Sequence, residues 1–131
     1  MRHEDSLYPQ DWLRIAEKDL GRAELLLNSD DPDAAGFYLQ QSIEKYLKAF
    51  LLAHGWSLKR SHDLEALLNE ALVHDTSLEQ FRELCQKVTA FYFVERYPFQ
   101  MIAGLGEDEV RDCLAEARRL AERLRLALDT A

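Results

Sequence analysis

The sequence predicts an all-α fold, an up-and-down bundle of four main helices and one shorter helix. Three observations carry that expectation. Apolar residues recur at steps of three and four along five segments, and no segment alternates as a strand would. Glycine and proline are scarce, at five and three, which leaves few tight turns for a small β fold. The connections between the periodic segments are short, which favours antiparallel neighbours.

The first helix carries Trp12, Ala16, Leu20, Ala23 and Leu27 on one stripe. Pro9 suits its first turn, and Asn28-Ser29-Asp30 ends it. The second begins with Asp31 as cap, Pro32 in the first helical position and Asp33 at the positive end of the dipole. It is expected to run to His54, with Gly55 as the stop. One arc of this longest helix holds Leu39, Ile43, Tyr46, Leu47, Ala49, Phe50 and Ala53. The other holds Gln40, Gln41, Glu44, Lys45 and Lys48.

The third helix carries Leu64, Leu67, Leu68, Ala71 and Leu72, with Ser61 or Asp63 as cap. The fourth opens on a capping box from Thr76 to Glu79, with Leu78, Phe81, Cys85, Val88 and Tyr92 on its stripe. Pro98 forbids its continuation, so residues 95–106 are expected to form a loop. The fifth opens on Glu107-Asp108-Glu109 and buries Val110, Leu114, Ala117, Ala121, Leu124 and Leu128.

With 131 residues, the chain suits one domain over 1–131, long enough to bury roughly two thirds of its unfolded surface. The formal net charge of −8 disfavours a broad nucleic-acid surface but leaves room for a local basic pocket. Cys85 and Cys113, without a CxxC pair, read as core thiols in a reducing compartment. The charged start is not followed by an apolar run, and no run approaches the length of a membrane span. The expectation is a cytoplasmic protein.

Three polar constellations are candidates for chemistry. Gln41, Glu44 and Lys48 share one face of the second helix. They suit either a polar ligand or partner surface, or an ordinary solvated face with a Glu-to-Lys pair. In Arg60-Ser61-His62-Asp63, an aspartate beside a histidine can fix its tautomer for acid–base work. The plainer alternative is Ser61 or Asp63 as cap and His62 in an exposed first turn. Phe91 to Phe99 is an aromatic-rich helix end containing Arg96 and Tyr97, where an arginine can hold a phosphate or stack on a base. There the alternative is Arg96 on helix carbonyls with aromatics in the core. No phosphate loop, dinucleotide fingerprint, HExxH or nucleophile elbow is present. His3, His54, His62 and His74 show no metal-ligand spacing, and no cofactor is implied.

Several stretches together resemble the HEPN family, the higher eukaryotes and prokaryotes nucleotide-binding domain. They are Asp11-Trp12-Leu13-Arg14-Ile15-Ala16-Glu17-Lys18-Asp19-Leu20, the segment from Phe37 to Leu51 with Gln41, Glu44 and Lys48, then His62-Asp63-Leu64, and Arg96-Tyr97-Pro98. The resemblance implies a helical bundle that forms a homodimer. It also implies a minimal nucleotidyltransferase as partner in a two-component, toxin–antitoxin type module. Gln41, Glu44 and Lys48 would line a nucleotide or anion site with Arg96, Tyr97, His62 and Asp63.

Many members of the wider family are metal-independent RNases, with an arginine followed after four to six residues by a histidine. Here Arg96 is followed at those places by Met101, Ile102 and Ala103. The expectation is therefore a binding module rather than an enzyme. The alternatives are an RNase toxin with an altered site, using Arg96 with His62 or Tyr97, and a dimerisation scaffold without a small ligand.

Overall fold

The computed structural model describes residues 6–96 and 104–129, with Glu95 and Arg96 described by backbone alone. The elements are α1 (Pro9–Asn28), α2 (Pro32–Ala53), α3 (Leu64–Ala71), a 3-10 segment (Thr76–Phe81), α4 (Arg82–Arg96) and α5 (Glu107–Asp129). The result is an all-α bundle. Among the described residues there is no strand, and no helix is long and apolar enough to cross a membrane.

The α1–α2 hairpin closes as the sequence suggests. Asp30 takes the left-handed conformation, φ 62°, and Asp31 N–H reaches back to the Leu26 carbonyl at 3.0 Å. That pattern ends a helix by satisfying carbonyls that have run out of partners. Asp31 then caps α2 by accepting from Ala34 N–H at 3.2 Å. Gly55, φ 83°, ends α2 in the same way, with Trp56 N–H on the Leu51 carbonyl at 3.0 Å.

The remaining boundaries differ in detail. Of the two expected caps for α3, Asp63 serves, accepting from Glu65 and Ala66 N–H. Leu72 lies just past the end of α3. The Thr76–Glu79 capping box does not form. Asp75 takes the cap position instead, accepting from both the Ser77 N–H and its hydroxyl, and the first six residues wind as a 3-10 helix. A short Asx turn satisfies those donors locally and tightens the first turns. The helical backbone continues to Arg96, two residues into the expected loop. Tyr97, Pro98, Phe99, Met101, Ile102 and Ala103 lie outside the described residues.

α2 is central: it touches α1, α3, α4 and α5. One continuous apolar core takes in the expected stripes from Trp12 and Leu27 to Leu124 and Leu128, except that Ala53 and Leu72 pack against it partly buried and Tyr92 is buried outside it. Cys85 and Cys113 are buried and unlinked, and burial pushes both thiols up, Cys85 to about 12. A thiol held protonated in this way is a poor nucleophile.

Between α1 and α5, Glu17–Arg125 and Glu24–Arg118 ion pairs bridge the rim of a groove floored by Leu20 and Tyr46. Burial, then the Glu17 charge, pushes the Tyr46 hydroxyl from 10.0 to about 12, against the opposing pull of Arg125 and Arg118. The sign follows from linkage. The unfolded chain ionises this tyrosine first, so its stabilising contribution is present below pH 10 and is lost as pH rises toward 12. We expect Tyr46 to give a late transition in an ultraviolet titration, and Tyr46→Phe to remove it.

The return to α5 is seated on the start of α2. Asp33 Oδ1 accepts from Leu105 N–H at 2.7 Å, and Leu105 fills the space above Gly36. A Cβ at Gly36 would lie 2.4 Å from Leu105 Cδ1 and 3.3 Å from Phe91 Cδ2. The leucine end can swing away, but buried Phe91 cannot easily do so. Overpacking of about 1–3 kcal/mol then outweighs a helix-propensity gain of about 1 kcal/mol. Gly36→Ala is expected to lower the urea midpoint by the equivalent of about 1 kcal/mol.

Candidate functional site

The polar arc of α2 is where structure and expectation part most sharply. A solvated face would leave Glu44 and Lys48 in water. Instead both are 4% exposed, and Gln40 is fully buried. The expected Glu-to-Lys pair exists, with Lys48 Nζ donating to Glu44 Oε2 at 3.0 Å, but it is buried. A charge taken out of water is tolerated only when paired and hydrogen-bonded. The surrounding groups meet that need. Gln40 Nε2 donates to Glu44 Oε1 at 3.2 Å and to the His62 carbonyl at 3.0 Å. The Lys48 ammonium lies 5.3 Å from the centre of the Trp12 ring, within cation–π range.

His62 completes the network from 18 residues away. Its Nδ1 lies 2.7 Å from Glu44 Oε1. A carboxylate can only accept, so Nδ1 carries the proton and Nε2 is left as the acceptor of the neutral ring. Asp63 does not fix the histidine tautomer; it is occupied in capping α3. Nor does His62 lie in the first turn of α3. It sits in the non-helical segment before it, with its ring stacked on Tyr92 at 4.4 Å and 21°. Burial raises the Glu44 pKa, but the His62 hydrogen bond and the Lys48 charge outweigh it, so the carboxyl lies below its ordinary range.

These groups line a cavity of about 270 Å³ between α1, α2 and the link to α3, bounded by Trp12, Gln41, Glu44, Lys45, Lys48, Lys59, Arg60 and His62. Half of these lining residues are lysine or arginine. Lys45 is held by Asp19, which is 1% exposed and also accepts from Arg22 at 2.7 Å. Lys59 is held by Glu70 at 2.9 Å. The Gln41 Oε1 is a buried acceptor to which no described group donates.

Of the expected site residues, Gln41, Glu44, Lys48 and His62 are thus brought together. Asp63 is adjacent in sequence but serves the helix. Arg96 is the last residue of α4, one turn beyond Tyr92, and Tyr97 lies outside the described residues. Sequence reasoning did not single out Trp12 or Lys59 for the site, and it had Tyr92 only as part of the aromatic stretch from Phe91 to Phe99. The Lys59-Arg60 pair in an acidic chain was the available signal for one of them. Among the described residues no group of three His, Cys, Asp or Glu side chains is placed to hold a metal ion.

A helical bundle whose central helix carries a buried Gln–Glu–Lys network to a cationic cavity is the class of protein this chain represents. The HEPN domain family model matches residues 9–126, and the chain belongs to that family. Among solved structures, TT1696 from Thermus thermophilus is 28% identical with a TM-score of 0.78, the match covering 89% of this chain and 95% of that one. ST0689, described as an archaeal HEPN homologue, is 24% identical with a TM-score of 0.70, covering 90% and 95%, and bears on the fold alone. No curated protein matches the chain.

Proposed function

We propose that the protein is a homodimeric HEPN module that binds a nucleotide through this cavity. On this reading it is one half of a cytoplasmic two-component, toxin–antitoxin type system with a minimal nucleotidyltransferase. The observation that carries the nucleotide reading is a local cluster of four cations, three of them held in place by the carboxylates of Asp19, Glu44 and Glu70. A chain of net charge −8 gathers Lys45, Lys48, Lys59 and Arg60 around one concavity, and secures Lys48 in it by burial. Such a cavity attracts phosphate, while the acidic remainder repels long RNA and suits a basic protein partner. Arg96, at the end of α4, is the proposed further anion contact.

The test is calorimetric titration of the purified protein with ATP, beside Lys48→Met, Arg60→Ala and Arg96→Ala. Binding by wild type that is lost in Arg60→Ala, with the melting temperature unchanged, supports the reading. No binding by wild type removes it. Light scattering of the protein alone and with the nucleotidyltransferase tests the dimer and the partner.

One observation favours a second reading, an RNase with an altered site. The Glu44 carboxylate orients His62 and leaves Nε2 able to take a proton, as a ribose 2′-hydroxyl would require. That reading expects metal-free RNA cleavage that disappears in both His62→Gln and Arg96→Ala.

A further inference from the structure

We infer that His62 is a stacking platform for the ring of the bound ligand, so that the cavity takes a nucleoside phosphate with its phosphates inward and its base at the mouth. This rests on the nucleotide-binding reading of the cavity and specifies how the ligand lies in it.

Four aromatic groups form a ladder ending at His62. Tyr38 meets Phe37 edge-on at 5.4 Å, Phe37 meets Tyr92 at 5.6 Å and 31°, and Tyr92 stacks on His62 at 4.4 Å and 21°. Tyr92 is buried, whereas the His62 side chain is 52% exposed and lines the cavity. The ladder therefore presents an aromatic surface beside the cations of the cavity.

The other aromatic residue of the cavity cannot serve in this way. Trp12 is 5% exposed, its indole N–H is committed to the Ser6 carbonyl at 2.8 Å, and Lys48 lies over its ring. Size points the same way. At about 270 Å³ the cavity falls below the usual range for small-molecule sites, about 300–1,000 Å³. It suits phosphates and sugar better than a whole nucleotide, and leaves the ring at the mouth. The Glu44 hydrogen bond sets the tilt of the imidazole on its Tyr92 stack.

The test compares ATP with inorganic tripolyphosphate, which carries phosphates without base or sugar, by calorimetry on wild type, His62→Gln and His62→Phe. Glutamine keeps a donor for Glu44 and removes the ring; phenylalanine keeps the ring and removes the donor. Stacking predicts that wild type binds ATP roughly tenfold or more tightly than tripolyphosphate. It predicts that the preference vanishes in His62→Gln and persists in His62→Phe. Equal binding of the two ligands by wild type overturns the stacking inference and leaves the anion site standing. A preference that survives in His62→Gln, or is lost in His62→Phe, also overturns it. Binding of neither ligand removes both the inference and the nucleotide reading. The wild-type comparison needs no variant, so a substitution that fails to fold does not spare the inference.

Discussion

Glu44→Ala is expected to lower the free energy of unfolding by about 3–5 kcal/mol, which corresponds to a fall in melting temperature on the order of 10 °C or more. The cost does not come from losing an attractive pair. It comes from what is left behind: Lys48, 4% exposed, loses the carboxylate on its ammonium. Gln40 and His62 lose an acceptor in the same step. The complementary expectation concerns the double variant Glu44→Leu with Lys48→Met. Replacing both charges by apolar groups of similar volume removes the stranded ion, so most of the lost stability should return. Urea denaturation of Glu44→Leu, Lys48→Met and the double variant measures the coupling directly. If the double variant is as unstable as Glu44→Ala, the buried-charge explanation fails.

The same carboxyl gives an acid dependence. The folded-state pKa of Glu44 lies below its ordinary value, so as pH falls the unfolded chain takes up the proton first. Its contribution is present above the ordinary carboxylate pKa and is lost as pH falls through the folded value. The double variant should lack that part of the acid destabilisation.

Asp19→Ala is expected to move stability and ligand affinity in opposite directions. Asp19 is 1% exposed and holds Lys45 of α2 at 2.6 Å and Arg22 of its own helix at 2.7 Å. Removing it breaks an α1–α2 cross-link and should cost about 2 kcal/mol. That is less than the loss at Glu44, because Lys45 is partly exposed and can turn to water. The lost negative charge lay beside a cation of the cavity. Affinity for ATP should therefore rise roughly threefold at low salt, and the gain should shrink as salt is added. Melting temperature and calorimetry on the same preparation test both halves. A fall in affinity would show that Asp19 positions Lys45 for the ligand rather than competing with it.

The contrast between these two sites shows what the sequence made legible. Helix periods, the Asp31-Pro32 start and the Gly55 stop are local signals, decided within a turn or two, and they hold. The burial of Gln40, Glu44 and Lys48 is not local. Amphipathic reading assumes that a helix turns one face to water. α2 has neighbours on several sides and the 59–62 segment closing over its polar arc, so that assumption fails there. The Glu44–His62 contact spans 18 residues of sequence, and no period encodes it. Asp63 shows the opposite error. Adjacency in sequence suggested a partner for His62, but an aspartate directly before a helix has a nearer use on the two N–H groups it caps. At Thr76 two capping patterns overlapped, and Asp75 reached the Ser77 donors first.

Beside Trp12 of α1, the cavity wall has two parts with different expected lifetimes. Gln41, Glu44, Lys45 and Lys48 belong to a helix that meets every other α-helix, so its amides should exchange with deuterium only when the whole bundle opens. Lys59, Arg60 and His62 belong to a non-helical link whose contacts are made mainly by side chains: Lys59 on Glu70, and His62 on Glu44 and Tyr92. Such a link can detach without unfolding the bundle. Ligand occupancy should therefore leave exchange in α2 almost unchanged and slow it across residues 59–62. The wall built by residues 59–62 is the one that deuterium would find first.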